Sequence, residues 1–278
     1  MVDPFADTEI HEEVVEVGAA PVELPIRYER ADVFMALHTV RYQSALRLVP
    51  EALRPVRLGG DRAVLAISAL RYRECTLGQY GEVMIGVACT TGAAPPGLLT
   101  VALQSALPGF GYYIVHLPVT SERAREVGRD IWGLPKFVAA MDFTHTDEDQ
   151  SVRLAESGEE ILSLRVRRRG AAVRDRRPWV IYSTRGTRLL RTTILTRTEY
   201  QVSPGGGGAT LLLGDHPIAT ELRRLCISPT ALLSLSYRSF HSLLPRGRVI
   251  GEVEALPPRV ADESELVGVP VPRGVAVR

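Results

Sequence analysis

The chain has 278 residues, 45% hydrophobic and 23% charged, enough for one large or two small globular domains with a sizeable core. With 33 basic against 32 acidic residues the net charge is +1, so no global field points to nucleic acid or a membrane surface. Three cysteines without CxxC spacing argue against a disulfide framework or zinc site and fit a reducing compartment, and no apolar run reaches the roughly 18–20 residues that cross a bilayer. The acidic start, MVDPFADTEIHEEVVEV, lacks a basic-then-apolar leader pattern, so a cytoplasmic location is expected.

Residues 1–20 read as a mobile acidic stretch, 21–255 as a single domain, and the Pro- and Val-rich 256–278 as an extended or disordered tail. Tyr42–Val49 has helical spacing and stops at Pro50. Ala63–Leu70, Val83–Ala88, Leu98–Leu107 and Tyr112–Leu117 are apolar runs of strand length, the last two separated by the turn Pro108-Gly109-Phe110-Gly111. Ser121–Val127 is polar with helix formers; Thr120 or Ser121 can cap its start and Gly128 can end it. Phe137–Thr144 alternates loosely as a strand. Glu160–Arg169 alternates clearly, with Leu162, Leu164 and Val166 facing a core and Ser163, Arg165 and Arg167 opposite. The arginines between Arg165 and Arg177 read as a solvated strand pair and turn, with an anionic-ligand or subunit contact as the alternative.

Trp179–Ser183 and Thr192–Val202 continue the strand pattern, and Gly205–Gly208 forms a loop without the Lys and Ser/Thr of a phosphate loop. Asp215-His216-Pro217 opens a helix through Leu225, with Asp215 as N-cap. Many short strands with two or three helices predict an α+β, mostly β fold, with a barrel as one arrangement.

One residue stands apart. Of the 33 basic residues, Lys136 is the sole lysine. Arginine replaces lysine in solubility and in most ion pairs, but its guanidinium stays protonated and cannot act as a nucleophilic amine. A chain that uses arginine everywhere else yet keeps one lysine points to use of the amine itself.

That lysine sits in Gly128-Arg129-Asp130-Ile131-Trp132-Gly133-Leu134-Pro135-Lys136. The run resembles the acetoacetate decarboxylase-like family, which carries a helix ending in Gly-Arg-Glu, a short aromatic stretch and then Pro-Lys. Ala45–Leu53 resembles the family's early helix ending in Val-Pro-Glu. Gly81-Glu82 after Tyr80 matches the place of an active-site glutamate. The resemblance covers about residues 25–250. It implies a closed cone-like β-barrel with a few flanking helices, and an interior lysine that forms a Schiff base with a keto acid. By the same resemblance Lys136 is the nucleophile and Glu82 a proton-transfer or positioning carboxylate. Arg30 is the candidate carboxylate-binding arginine, reached through a one-residue gap, and a structural ion pair is its competing role. Trp132 and Phe137 are assigned to substrate binding, with a core anchor as the competing role for Trp132. The family precedent is a homo-oligomer without cofactor, acting on a small keto acid.

The chain departs from the family pattern in three ways. A second lysine beside the nucleophile is replaced by Pro135 and Phe137. A second acidic residue is missing from Leu65–Leu70. The tail beyond 255 has no counterpart. An ordinary lysine has a pKa near 10.4, so about one in 2,500 is neutral at pH 7. Activation by a neighbouring cation is the known route in acetoacetate decarboxylase itself. Here no charged sequence neighbour exists, and adjacent strand residues face opposite ways. Burial against Trp132, Leu134 and Phe137 is therefore the expected means of activation. The predicted activity is that of a carbon–carbon lyase: decarboxylation, or aldol addition and dehydration through the same enamine, with a place in secondary metabolism. Two other readings are a non-covalent ligand-binding barrel and a natural-product cyclase or isomerase that kept the fold. The six histidines show no HxH or HExxH spacing, so no metal is expected.

Overall fold

Long alternating strands dominate the structure, a computed structural model that describes residues 5–18, 20–92 and 109–254. The first half holds β1 (Glu13–Val17), β2 (Ala20–Leu24), β3 (Ile26–Arg41), α1 (Tyr42–Leu46), β4 (Arg54–Pro55), β5 (Arg57–Gly59), β6 (Arg62–Cys75), β7 (Tyr80–Thr90) and β8 (Gly111–His116). Next come α2 (Glu122–Trp132), β9 (Ala140–His145), β10 (Asp149–Glu156), β11 (Glu159–Arg167), β12 (Ala171–Asp175), β13 (Trp179–Arg185) and β14 (Arg188–Pro204). The described chain ends with β15 (Ala209–Leu213), α3 (Pro217–Arg224), β16 (Leu233–Leu244) and β17 (Arg248–Glu252). The expected strand at Leu98–Leu107 and the tail from 256 lie outside the described residues.

The large sheet runs β7-β8-β13-β14-β16-β3-β6, and β6 pairs back onto β7, so these strands close into a ring. The β8–β13 contact is parallel; the other ring contacts are antiparallel. Closure leaves no free edge among these strands and covers both faces, which is why β6 and β7 read as near-continuous apolar runs. The two-residue period divides each strand between two cores. Val64, Ala66 and Leu70 of β6 join an inner core with Val33, Met84, Ile114, Ile181, Tyr200 and Leu235. Ala63, Leu65, Ile67 and Ala69 join an outer core with Phe34, Ile85 and Tyr182. A four-stranded sheet, β15-β11-β10-β9, covers the outer core and contributes Leu162, Leu164 and Val166 on the predicted face. Fully burying one such aliphatic side chain contributes about 1.5–3 kcal/mol. The mostly β fold with few helices is as expected.

Four local expectations change. The acidic N-terminus is not uniformly mobile: β1 pairs with β2, Phe5 is buried, and Asp7 bonds Arg197 at 3.0 Å while Glu13 bonds Arg246 at 3.1 Å. Its acidity is thus complementary to an arginine of β14 and one in the segment after β16. The first helix ends at Leu46, where Arg47 and Leu48 bond back three residues instead of four and tighten the chain before Pro50. The α3 helix is capped by His216, whose Nδ1 accepts from the Ile218 N–H at 3.2 Å, while Asp215 is exposed. The strand expected from Phe137 begins at Ala140, because the Phe137 carbonyl and the Ala139 N–H bond Val119 instead. The arginine cluster is solvated and paired: Arg174 meets Glu199, Arg177 meets Asp175, and Arg165 meets Asp149.

Candidate active site

Lys136 owes its place to the end of α2. Ser121 caps the helix start, its hydroxyl accepting from Ala124 N–H at 3.3 Å. The helix does not stop at Gly128. It continues to Trp132 and closes on Gly133, whose φ of 61° is the left-handed conformation that favours glycine at a helix end. The chain then doubles back along the helix. Leu117 N–H donates to Pro135 O at 3.2 Å, and Val119 N–H donates to Phe137 O at 2.9 Å. On its other side Val119 bridges Glu82 of β7. The segment Leu117–Val119 therefore bonds to the lysine segment on one side and to the glutamate strand on the other.

Gly128 serves a different purpose from the helix stop expected of it. A Cβ at this position would lie 2.5 Å from Lys136 Cδ and 2.7 Å from Cε. The absent side chain is the space in which the lysine stem lies against the helix.

Lys136 Nζ meets Glu82 Oε2 at 2.8 Å, with the two side chains only 5% and 11% exposed. The Tyr72 hydroxyl donates to the other carboxylate oxygen at 3.1 Å. Tyr28 and Tyr80 share a hydroxyl–hydroxyl bond of 3.0 Å, and the amine lies 5.5 Å from the Tyr80 ring centre. Alternation accounts for the convergence: Tyr80, Glu82 and Met84 face inward from β7, as Leu70 and Tyr72 do from β6. Burial, and then the Glu82 charge, push the Tyr28 and Tyr72 hydroxyls well above the usual tyrosine value, so both stay protonated donors. Tyr80 is raised too, by burial first. Burial also pushes the nearby Cys75 thiol up to about 11. The cavity beside the amine measures about 60 Å³ and is lined by Ile114, Leu117, Leu134, Trp179, Ile181 and Phe240 among others. It exceeds the roughly 10–15 Å³ that holds one water but falls far below the roughly 300–1,000 Å³ of a drug-sized site. A buried amine, a carboxylate within proton-transfer range and phenolic donors in an apolar pocket can support carbonyl chemistry on a small group.

Of the residues singled out in the sequence, Lys136 and Glu82 come together and the other three stand apart from them. Arg30 is exposed and pairs with Glu74 at 3.0 Å. A register shift around Tyr28–Ala31 makes both Glu29 and Arg30 face away from the inner core. Trp132 is a core anchor, buried, with its indole N–H donating to Pro245 O at 2.8 Å. Phe137 packs in the outer core, on the far side from its neighbour Lys136. The sequence reading does not single out Tyr28, Tyr72 or Tyr80 as site residues. Their signal was present in the strand period, which sets Tyr80 two residues from Glu82 and Tyr72 two from Leu70. His38 donates from Nδ1 to Ser228 O at 2.9 Å, and His116 meets Glu221 at 2.8 Å. Among the described residues no three His, Cys, Asp or Glu side chains converge as a metal site.

Structures with a similar fold include the acetoacetate decarboxylase of Legionella pneumophila subsp. pneumophila str. Philadelphia 1, at 17% identity and a TM-score of 0.61, covering 84% of this chain and 93% of that one. An acetoacetate decarboxylase-like enzyme from Sphingomonas wittichii RW1 matches at 14% identity and a TM-score of 0.56, over 84% and 95% of the two chains. The enduracididine biosynthesis enzyme MppR, complexed with the condensation product of pyruvate and imidazole 4-carboxaldehyde, matches at 14% identity and a TM-score of 0.55, over 81% and 88%. No curated protein sequence matches this chain. The family model for acetoacetate decarboxylase (ADC) matches residues 16–251, and with most of its length inside that match the chain belongs to the acetoacetate decarboxylase family.

Proposed function

We propose that this chain is an imine-forming carbon–carbon lyase in which Lys136 attacks the carbonyl of a small keto acid and Glu82 moves the protons. The observation that carries the reading is the 2.8 Å contact between Lys136 Nζ and Glu82 Oε2 inside an apolar cavity. Attack requires a neutral amine, and a carboxylate at that distance can take the ammonium proton. The amine nitrogen adds to the carbonyl carbon, Glu82 returns a proton to the oxygen, and water leaves as the imine forms. For a β-keto acid the carbon–carbon bond to the carboxylate then breaks. Its electron pair moves into the protonated imine, carbon dioxide departs and an enamine remains. Protonation of the enamine carbon and hydrolysis release the ketone and restore the amine. Tyr72, held on the second oxygen of Glu82, keeps the carboxylate aimed at the amine.

The same enamine can add to a second carbonyl and lose water. The fold likeness to MppR, a structure holding a condensation product of pyruvate, favours keeping that outcome as the second reading. Turnover of acetoacetate and of pyruvate with an aldehyde separates the two by product. Lys136→Arg preserves the charge and removes the nucleophile; it should abolish either reaction, and full activity in that variant would end the imine reading.

A further inference from the structure

Among the described residues the interior of the ring shows two chambers at different heights. The small one surrounds Lys136. The second, of about 420 Å³, is lined from the same strands by Met35, Leu37, Tyr112, Leu235 and Tyr237. Register orders them along β16, where the small chamber takes Phe240 to Leu244 and the large one Leu233 to Tyr237, and along β3, where Tyr28 lines the small chamber and Met35 and Leu37 the large one. Trp179 lines both. Its ring meets Phe240 edge-on at 5.2 Å and Tyr237 at 5.9 Å, an aromatic partition between the chambers.

Two features show which side faces solvent. Apart from Trp179 and Ile194, every residue lining the small chamber is buried. The large chamber, by contrast, reaches exposed residues at Arg177 and Pro178. Its deep wall is apolar and aromatic. Its charged residues, Asp175, Arg177 and Arg191, are half-buried or exposed at the rim, and Arg177 and Asp175 satisfy each other at 2.5 Å. A volume of 420 Å³ lies within the roughly 300–1,000 Å³ of ligand sites, whereas the chamber at the amine holds only a small head group.

We infer that the keto acid used by Lys136 carries an apolar or aromatic tail that passes Trp179 and fills the larger chamber. The inference rests on the imine reading above and adds to it the class of substrate. Trp179 is then a specificity-determining residue, contacting the substrate where head joins tail. Short acids such as pyruvate leave the larger chamber empty and bind weakly.

The test compares pyruvate with 2-oxo-4-phenylbutanoate by borohydride trapping and intact mass, in the full chain and in Leu233→Trp, which fills the larger chamber. The phenyl acid should half-saturate trapping at a concentration at least about tenfold lower than pyruvate, the scale of apolar-pocket discrimination. Leu233→Trp should collapse that ratio towards one. Val202→Trp, on the opposing strand, repeats the test if the first variant melts early. Equal trapping of both acids, or a ratio unchanged in both variants, overturns the inference while leaving the imine reading intact. No adduct with either acid, nor with acetoacetate, ends the imine reading instead. In that case calorimetry with 4-phenylbutanoate decides whether the chamber takes such a tail: binding weakened at least tenfold by Leu233→Trp supports it, and no binding refutes it.

Discussion

Replacing Gly128 with alanine puts a methyl group 2.5 Å from Lys136 Cδ, 2.7 Å from Cε and 3.3 Å from Nζ. Ordinary van der Waals contact begins at 3.4 Å, so the lysine stem must retreat by 3.4 − 2.5, or 0.9 Å. Nζ itself already stands 3.3 Å away, but it rides on the displaced stem, which strains its 2.8 Å contact with Glu82. Overpacking of this kind costs about 1–3 kcal/mol. The alanine itself returns about 1 kcal/mol, because glycine is a poor helix interior residue. The net loss of stability is therefore about 0–2 kcal/mol, and the variant should fold. Function is far more sensitive: a misplacement near 1 Å costs about 100-fold in rate. Denaturant melts and the rate of imine trapping measure the two effects separately. A double-mutant cycle isolates the cause. With Lys136→Ala already present the obstacle is gone, and Gly128→Ala should then stabilise the chain by about 1 kcal/mol. If Gly128→Ala is stabilising in the wild-type chain and traps at the normal rate, the packing of lysine on helix is wrong.

Other substitutions test the remaining assignments. Arg30→Ala should change stability by less than about 1 kcal/mol and leave trapping unaltered, since its pair with Glu74 is exposed; a large loss of trapping would return it to the site. Trp132→Phe leaves Pro245 O without its donor and should cost about 1–3 kcal/mol in a denaturant melt, with trapping retained. The thiol of half-buried Cys75, raised to about 11, should be nearly inert to alkylation at pH 8, so that exposed Cys226 reacts first in a peptide map; rapid labelling of Cys75 would contradict the raised thiol. Burial holds the His38 imidazole below its ordinary 6.5. A base depressed in the folded state contributes stability above 6.5 that is lost as pH falls, because the unfolded chain then binds the extra proton. The melting temperature should therefore drop from pH 7.5 to pH 5, and His38→Gln should flatten part of that slope.

The residues that carry the chemistry were legible because each rests on a local rule. Lys136 is chemically unlike every arginine around it, and Glu82 sits on a strand whose period aims it inward. The strands themselves were readable from apolar runs whose two faces both end in core, although nothing in the runs revealed that β6 returns to β7. What escaped reading was set by contacts distant in sequence. Gly128 resembles a helix stop until the lysine that occupies its missing side chain is seen. Arg30 faces outward because of a register shift that no alternation rule predicts. Phe137 neighbours Lys136 in sequence, yet the backbone turns its ring into the outer core. The acidic N-terminus resembles a free tail until the arginines that bind it come from β14 and from the segment after β16.

The central claim is that Lys136 forms the covalent bond. Incubation with a keto acid, reduction with borohydride and digestion with a lysine-specific protease tests it most directly, because the chain offers one lysine for cleavage. The account predicts a mass increase equal to one reduced imine and loss of the cut after Lys136. An unmodified chain cut at Lys136, from protein that still turns the acid over, would contradict it.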